Sequence, residues 1–407
     1  MLASHRFNPD DQLRFARLTG DVNPIHMDPV FARRTLAGTS VVHGVHALLW
    51  LLDCIAGARL DLPMVSALKV RFLRMMEVGE TAHAEITSLD PKSLHAEVTV
   101  GGGVAVEMKV LLAPPSAELP KMPAGFEETA GKPRTTEKIE DMAGMAGGLP
   151  TACGIEKYAT AFPHATRYLG LRRVAALGQC SYLIGMVVPG THSLFSALTL
   201  KVCADSDPAR AFTYRVKSAH PLFRLVDIDI VGGGWSGLLQ AFVRHPPTSQ
   251  PAIRDVSALV STDEFSGARV LIIGGSRGLG ALTANIIAAG GGQVTVSYVL
   301  GKAEAETLAA DINAAGGCCR IQHYDVRKSA DDQLALVADQ PTHIYYFATP
   351  QIFFPKSNGI DWQRFDLFNA YYLSGFHRIA QAAARRCPEG VRIFFPPPRP
   401  WSNDQPT

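Results

Sequence analysis

Residues 18–31 read LTGDVNPIHMDPVF, and within them Asp21 and His26 stand five positions apart across an Asn23-Pro24 step. A residue that precedes proline is pushed out of the helical region, so Asn23 is expected to be extended and the chain to bend there. The bend lets Asp21 and His26 face one cleft instead of opposite sides of a helix. They are therefore a candidate acid/base pair, on a loop shaped by Asn23 and Pro24. Directly afterwards Asp28-Pro29 has the form of a helix start, Asp as N-cap and Pro at the first helical position, running into VFARRTLAG. The loop is thereby expected to be anchored at its far end.

The run from Phe15 through Leu18, Thr19, Gly20, Asp21, Asn23, Pro24, Ile25 and His26 to Ala32 resembles, position for position, the signature of the MaoC-like, R-specific enoyl-CoA hydratases. The resemblance implies a hot dog fold, a curled antiparallel sheet wrapped round one long helix. It also implies that Asp21 and His26 together hold the water added across an enoyl thioester, with no metal and no bound cofactor for that step. The partner so implied is an acyl-CoA or acyl-carrier-protein thioester.

Composition sets outer limits on this reading. A chain of 407 residues is long enough for two or three domains, and 47% hydrophobic with 19% charged residues is ordinary globular composition. A net charge of +2 gives no electrostatic reason to expect nucleic acid or an acidic membrane surface. The 7 cysteines are odd in number and irregularly spaced, without a CxxC, so neither a disulfide framework nor a zinc site is indicated. A reducing cytoplasm fits that usage. The N-terminus lacks the apolar core of a signal peptide, and Val41–Ala58 is interrupted by His43, His46 and Asp53, so no membrane span is expected.

Outward from the loop, residues 10–18 read as a short amphipathic helix leading in. Beyond Gly38-Thr39-Ser40, the segment VVHGVHALLWLLDCIAGA is apolar on nearly every face, as in a helix enclosed by other structure. From Val65 the pattern turns to strands: VSALKVRFLR, ETAHAEITSL, SLHAEVTV and, after three glycines, VAVEMKVLL. Gly44 lies in the first turn of the buried helix, where backbone N–H groups lack intrahelical partners. Its N–H is placed to receive the charge that grows on a thioester carbonyl, the role that the resemblance gives to the glycine of the His43-Gly44 dipeptide. The plainer alternative is that Gly44 only allows close helix–sheet packing. His43 and His46 read as core histidines.

The chain then repeats itself after a linker or covering arm, Pro114 to Lys138. Leu68-Lys69-Val70 recurs at 200–202, VTVGGG at 98–103 as DIVGGG at 229–234, and the double proline 114–115 at 246–247, all at an offset of 131 or 132 residues. A second hot dog is therefore expected, making a double-hot-dog unit in which a further homodimer is one allowed assembly. In the second copy Phe162-Pro163-His164 keeps a proline and a histidine but has no Asp before them, and His192 and Ser193 read as structural. It is read as a degenerate, non-catalytic half.

From Arg269 strands alternate with helices, the pattern of a parallel sheet. Gly274, Gly278 and Gly280 are spaced as GxxxGxG between a strand and a helix, and with Ser276 and Arg277 form a candidate pyrophosphate turn. This region resembles the N-terminal part of a short-chain dehydrogenase/reductase. By that resemblance Asp325 contacts adenine, and Asn369 falls at the position of the catalytic Asn. No acid closes the second strand, and Arg277 and Lys302 lie near a ribose 2′-phosphate position, favouring NADP over NAD. Tyr346-Phe347-Ala348-Thr349 stands where NNAG is usual. The Ser and Tyr-x-x-x-Lys that the family places after the fifth strand do not occur there, where the chain reads PPPRPWSNDQPT, and the one Tyr-x-x-x-Lys, Tyr298 to Lys302, stands too early, so a truncated or frameshifted terminus and lost hydride transfer are expected.

The fold class expected is thus an α+β double hot dog followed by an incomplete α/β Rossmann-type sheet. Its expected divisions are a catalytic hot dog over 1–115, a linker and degenerate hot dog over 116–248, a linker over 249–267, and the Rossmann-type part over 268–407. The expected function is hydration of trans-2-enoyl thioesters, or the reverse dehydration. The alternatives are a hydratase–reductase of which this chain is an incomplete copy, and a non-redox acyl-thioester-binding scaffold.

Overall fold

The computed structural model describes residues 1–59, 61–113, 134–135, 138–149, 154–203, 212–350 and 361–396. The expected covering arm from Pro114 and the proline-rich end fall almost wholly outside these residues. The chain forms two compact units, Met1–Pro247 and Thr248–Thr407.

The first unit opens with β1 (Ala3–Arg6), α1 (Pro9–Thr19), α2 (Pro24–Met27), α3 (Pro29–Ala32) and α4 (Gly44–Ala58). Four strands follow: β2 (Val65–Phe72), β3 (Thr81–Asp90), β4 (Ser93–Val100) and β5 (Gly103–Leu112). Next come β6 (Ala146–Leu149), α5 (Lys157–Ala161), α6 (Pro163–Leu169) and α7 (Leu171–Tyr182). The unit closes with β7 (Ser193–Val202), β8 (Phe212–His220), β9 (Leu225–Gly232) and β10 (Trp235–Val243). All ten strands form one sheet, ordered β1-β3-β4-β5-β2-β7-β10-β9-β8-β6. Outward from the β2–β7 seam the two five-stranded halves follow the same order. Leu68 lies directly opposite Leu200 in that seam, so the first matched landmark of the two sequence copies meets its own counterpart. The register also shifts at matching points, between Ile86 and Ser88 in β3 and between Val216 and Ser218 in β8.

The strands form because inward positions alternate with partly exposed ones, as β4 shows in every second residue. The buried face closes on α4, whose Val45, Ala47, Leu48, Leu49, Leu51, Leu52, Ile55 and Ala56 are all buried. The MaoC-like hot dog fold expected at the N-terminus is this helix and its strands. A short first strand, β1, pairs with β3 and was not anticipated.

Two local expectations need correction. The helix after Asp28 stops at Ala32 and does not run through VFARRTLAG. Asp28 does cap it, accepting from Val30 and Phe31, but Arg34 and Thr35 bond back only three residues and the Thr35 hydroxyl takes the Ala32 carbonyl, so no further helical turn propagates. Residues 249–267, expected as a linker, belong to the second unit and contain α8 (Ile253–Val256), which packs against the helix Gly278–Ala289 with Ile253 buried.

The second unit continues with β11 (Arg269–Ile273), α9 (Gly278–Ala289), β12 (Gln293–Tyr298), α10 (Lys302–Ala314), β13 (Cys318–His323) and α11 (Ala330–Leu334). It is completed by β14 (His343–Tyr346), α12 (Trp362–Asn369), α13 (Phe376–Arg386) and β15 (Arg392–Phe394). Its five strands are all parallel, in the order β13-β12-β11-β14-β15. Alternate residues of β11 divide the core: Val270 and Ile272 face α9 and α10, Leu271 and Ile273 face α11 and α13. A later parallel sheet with helices on both faces is what the alternating pattern calls for. No helix among the described residues is long and apolar enough to cross a membrane.

Candidate active site

The acid/base loop is fixed at both ends before it carries any chemistry. At its start, α1 is held by a capping box between Asn8 and Asp11 and ended by Gly20 in the left-handed region at φ 78°. Asn23 is extended, at φ −54° and ψ 128°, and its side-chain oxygen accepts from the Ile25 N–H to start α2. The turn carries Asp21 and His26 inward. A carboxylate oxygen of Asp21 and a ring nitrogen from each of His26 and His43 lie within 4.8 Å of one another.

Asp21 is 2% exposed. Burial drives its carboxyl above the usual 3.8, and hydrogen bonds from the Ser181 hydroxyl and the Asn23 N–H offset only part of that rise. Those bonds are 2.7 Å to Oδ2 and 3.2 Å to Oδ1. His26 Nδ1 lies 2.8 Å from the Val41 carbonyl, which can only accept, so Nδ1 carries the proton and Nε2 keeps a lone pair. Burial, with the neighbouring His43, holds this imidazole down to about 3, so it is neutral at any ordinary pH.

Gln12 of α1 and His43 lie behind the pair. Gln12 Oε1 accepts from the His43 backbone N–H at 3.1 Å and lies 2.9 Å from its Nδ1, while His43 Nε2 lies 3.0 Å from the Asp21 carbonyl. The His43 ring stacks on His26, centroids 3.8 Å apart. His46, one turn on, stacks on Phe15 at 4.5 Å. A metal would need three ligand atoms from this cluster. Both His43 nitrogens and His26 Nδ1 are already turned to protein oxygens, so only the Asp21 carboxylate and His26 Nε2 remain.

Gly44 is the first residue of α4, and its N–H meets no acceptor among the described residues. A Cβ there would lie 3.0 Å from the Phe72 ring, so the close-packing alternative is also served.

The second half of the unit contributes directly. At its end α7 widens into a turn over Leu183–Val187, closed by the Val188 N–H bonding five residues back to Leu183. The turn presents the Gly185 carbonyl to Asn23 Nδ2 at 2.9 Å, and the Gly190 carbonyl takes the same nitrogen at 3.1 Å. Gly185 itself lies against the Asp21 carboxylate, which a Cβ would overlap. His164 is elsewhere: it is exposed, its N–H donates to Asp53 at 2.8 Å, and its ring lies over Gly57.

In the second unit the glycine turn links the end of β11 to the start of α9. Gly274 is left-handed at φ 79° against the Ala348 backbone, while Gly278, at φ 58°, has open space where a side chain would be. Gly280 packs on the Gly274 carbonyl. Ser276 and Arg277 lie between, Arg277 as N-cap of α9. The Ser297 hydroxyl, at the end of β12, accepts from the Gly274 N–H at 3.0 Å. Arg327 grips both oxygens of Asp325 at 3.0 and 2.9 Å and holds its carboxyl below the usual range. Asn369 ends α12, immediately before a widened turn whose Tyr371 carbonyl accepts from the Tyr346 hydroxyl at 2.6 Å.

Residues 3–109 match the family described as MaoC like domain. The 3-hydroxybutyryl-CoA dehydratase of Methylorubrum extorquens is 30% identical over 116 residues, covering 26% of this chain and 73% of that protein. The chain belongs to the MaoC-like dehydratase family. A solved MaoC-like dehydratase is 16% identical with a TM-score of 0.40, covering 60% of this chain and 96% of that one. FolM alternative dihydrofolate reductase 1 from Brucella canis, solved with NADP, is 22% identical with a TM-score of 0.28. The match covers 30% of this chain and spans about half, 51%, of the FolM chain.

In this MaoC-like protein the residues not anticipated from sequence are Gln12, Ser181 and Gly185, and His43 does more than fill the core. Gly185→Ala is expected to lower thioester turnover about tenfold, because the added methyl displaces the Asp21 carboxylate. Circular dichroism with the rate assay checks this: unchanged turnover in a folded variant would show that Asp21 tolerates displacement.

Proposed function

We propose that the first unit hydrates trans-2-enoyl thioesters to R-3-hydroxyacyl thioesters, or runs the reverse dehydration. We read its ten-stranded sheet as two hot dogs, the first catalytic. The observation that carries the reading is the buried pair itself: His26 Nε2 meets no partner among the described residues, and the Asp21 carboxylate, which accepts one bond at each oxygen, keeps lone pairs for a further donor. Asp21 and His26 hold one water between them. As the water oxygen bonds to the β-carbon, its proton passes to Asp21 and the pair returns a proton to the α-carbon, giving the saturated hydroxyacyl product. Gly44 N–H receives the charge that develops on the thioester oxygen. The relative's name, a 3-hydroxybutyryl-CoA dehydratase, supports a CoA thioester as substrate. Purified protein is expected to bleach the enoyl absorbance of crotonyl-CoA and yield product oxidised by an R-specific but not an S-specific 3-hydroxyacyl dehydrogenase. An S product, or no bleaching, removes the reading.

The open space at Gly278 supports a second activity, binding of a dinucleotide by the second unit. There Gly274, Ser276, Arg277, Gly278 and Gly280 would cradle the pyrophosphate, and the lack of an acid at the end of β12 favours NADP over NAD. Bound nicotinamide supplies hydride chemistry; these residues only hold and orient it. NADPH is expected to bind more tightly than NADH by fluorescence titration, and Gly278→Val to weaken it at least tenfold. Equal binding to the variant would place the dinucleotide elsewhere or nowhere. NADPH oxidation with acetoacetyl-CoA separates a reductase from a site that only binds.

A further inference from the structure

Where β10 ends, a group of basic side chains gathers beside Phe31 of the acid/base loop. Arg244, just past β10, is 8% exposed. Its Nε donates to the Ser193 carbonyl at 3.1 Å and its Nη2 to the Thr191 carbonyl at 3.0 Å. The backbone N–H of Arg244 donates to His192 at 2.7 Å, fixing the two side by side. Arg224 approaches from the β8–β9 turn, where its Nη2 donates to the Arg244 carbonyl at 3.3 Å. It is the one non-glycine residue with positive φ among the described residues, at 50°. His192 has a buried Nδ1 with no partner, and its ring stacks at 6.4 Å on Phe31, at the far end of the acid/base loop. Burial lowers the proton affinity of both His192 and His26, and the charge of Arg244 adds a smaller push in the same direction.

A buried guanidinium is ordinarily matched by a carboxylate or phosphate, because carbonyl dipoles replace only part of the hydration that it loses. Here every hydrogen-bond acceptor that Arg244 and Arg224 meet is a backbone carbonyl, and Nη1 of Arg244 has no hydrogen bond among the described residues. Five N–H donors in a planar fork suit an oxyanion with two or three oxygens. The left-handed backbone at Arg224, unusual for a side chain of that size, is the kind of local cost that is kept at binding sites.

We propose that Arg244, supported by Arg224 and His192, binds a negatively charged group on the thioester substrate, beside the dyad. The group is either a phosphate on the carrier arm or a carboxylate on the acyl chain. This rests on the hydratase reading for the choice of ligand but not for the site. With the oxyanion bound, the reactive carbons are held at a set distance from His26, so the site selects substrates by charge and length.

Isothermal titration with the full chain tests it, using three ligands without a reactive double bond: butyryl-CoA, butyryl-pantetheine and succinyl-CoA. If the group is a phosphate, Arg244→Gln weakens butyryl-CoA at least tenfold and leaves butyryl-pantetheine unchanged. If it is an acyl carboxylate, the wild type prefers succinyl-CoA to butyryl-CoA and the variant loses that preference. Arg224→Gln, whose side chain is less enclosed, is read in the same way should Arg244→Gln fail to fold. The proposal is overturned if the folded variant binds all three ligands as the wild type does, if all three weaken equally, or if the wild type binds none. Crotonyl-CoA turnover is followed in the same preparations: charge-dependent binding without turnover removes the hydratase reading and leaves the site standing.

Discussion

Asp21→Asn is expected to lower crotonyl-CoA hydration by about 10³-fold, within the range for a positioned proton-transfer group, while the protein stays folded. The amide keeps the shape of the carboxylate: its oxygen can accept from the Asn23 N–H as Oδ1 does, and its NH2 can donate to the Ser181 hydroxyl, reversing the bond that hydroxyl makes to Oδ2. What it removes is the only carboxylate of the cluster. The same substitution carries a stability signature of definite sign. Burial raises the Asp21 carboxyl above 3.8, so the folded state holds this proton more tightly than the unfolded state. The group therefore contributes most below the unfolded value, and that contribution is lost as pH rises through the folded one. Asn has nothing to ionise, so the variant should melt at or above the wild-type temperature at neutral pH, with the difference shrinking as pH falls towards 3.8. A variant with wild-type turnover would dismiss Asp21 from the chemistry. One that loses activity and also melts far lower at neutral pH would mark it as structural.

His26→Ala is expected to cost about 10²-fold in turnover. Because burial holds this imidazole down to about 3, it works as a neutral acceptor, and the pH–rate profile of the wild type should show no step near the ordinary histidine value of 6.5. The acid limb belongs to Asp21. A pronounced step at that pH, abolished in His26→Ala, would mean that the protonated ring is the working form. The alanine variant also strands the Val41 carbonyl, a cost of roughly 1–3 kcal/mol, so its melting temperature has to be read beside its rate.

What the sequence made legible was local. Asp21, Asn23, Pro24 and His26 lie within six residues, and the steric rule at Asn23-Pro24 is enough to turn them together. The strands of the first half, from Val65 onward, follow their alternation closely, as does the order of the second unit. The remainder of the site is assembled from afar. Ser181 and Gly185 reach Asp21 and Asn23 across about 160 positions of chain, and nothing in the helical pattern ALGQCSYLIG distinguishes a hydroxyl that holds a carboxylate from one that merely packs. Gln12 reads as one polar residue of an amphipathic helix until α1 is laid against His43. Asp325 shows the converse limit. Its motif position is legible, whereas its ion pair with Arg327, two residues on, is not.

The pairing of Leu68 with Leu200 has a bearing on how such a chain could arise and diverge. Where two equal subunits share a seam, a change in one is a change in both, and neither acid/base loop can be abandoned alone. A covalent pair lifts that restriction, because the partner is always present at a high local concentration and assembly no longer selects for identical sequences. One moiety can then specialise as a prop, offering Ser181 and Gly185 to its neighbour's acid while its own equivalent loop drifts. On the proposed reading of its two halves, asymmetry in this chain would be a division of labour made available by the tether.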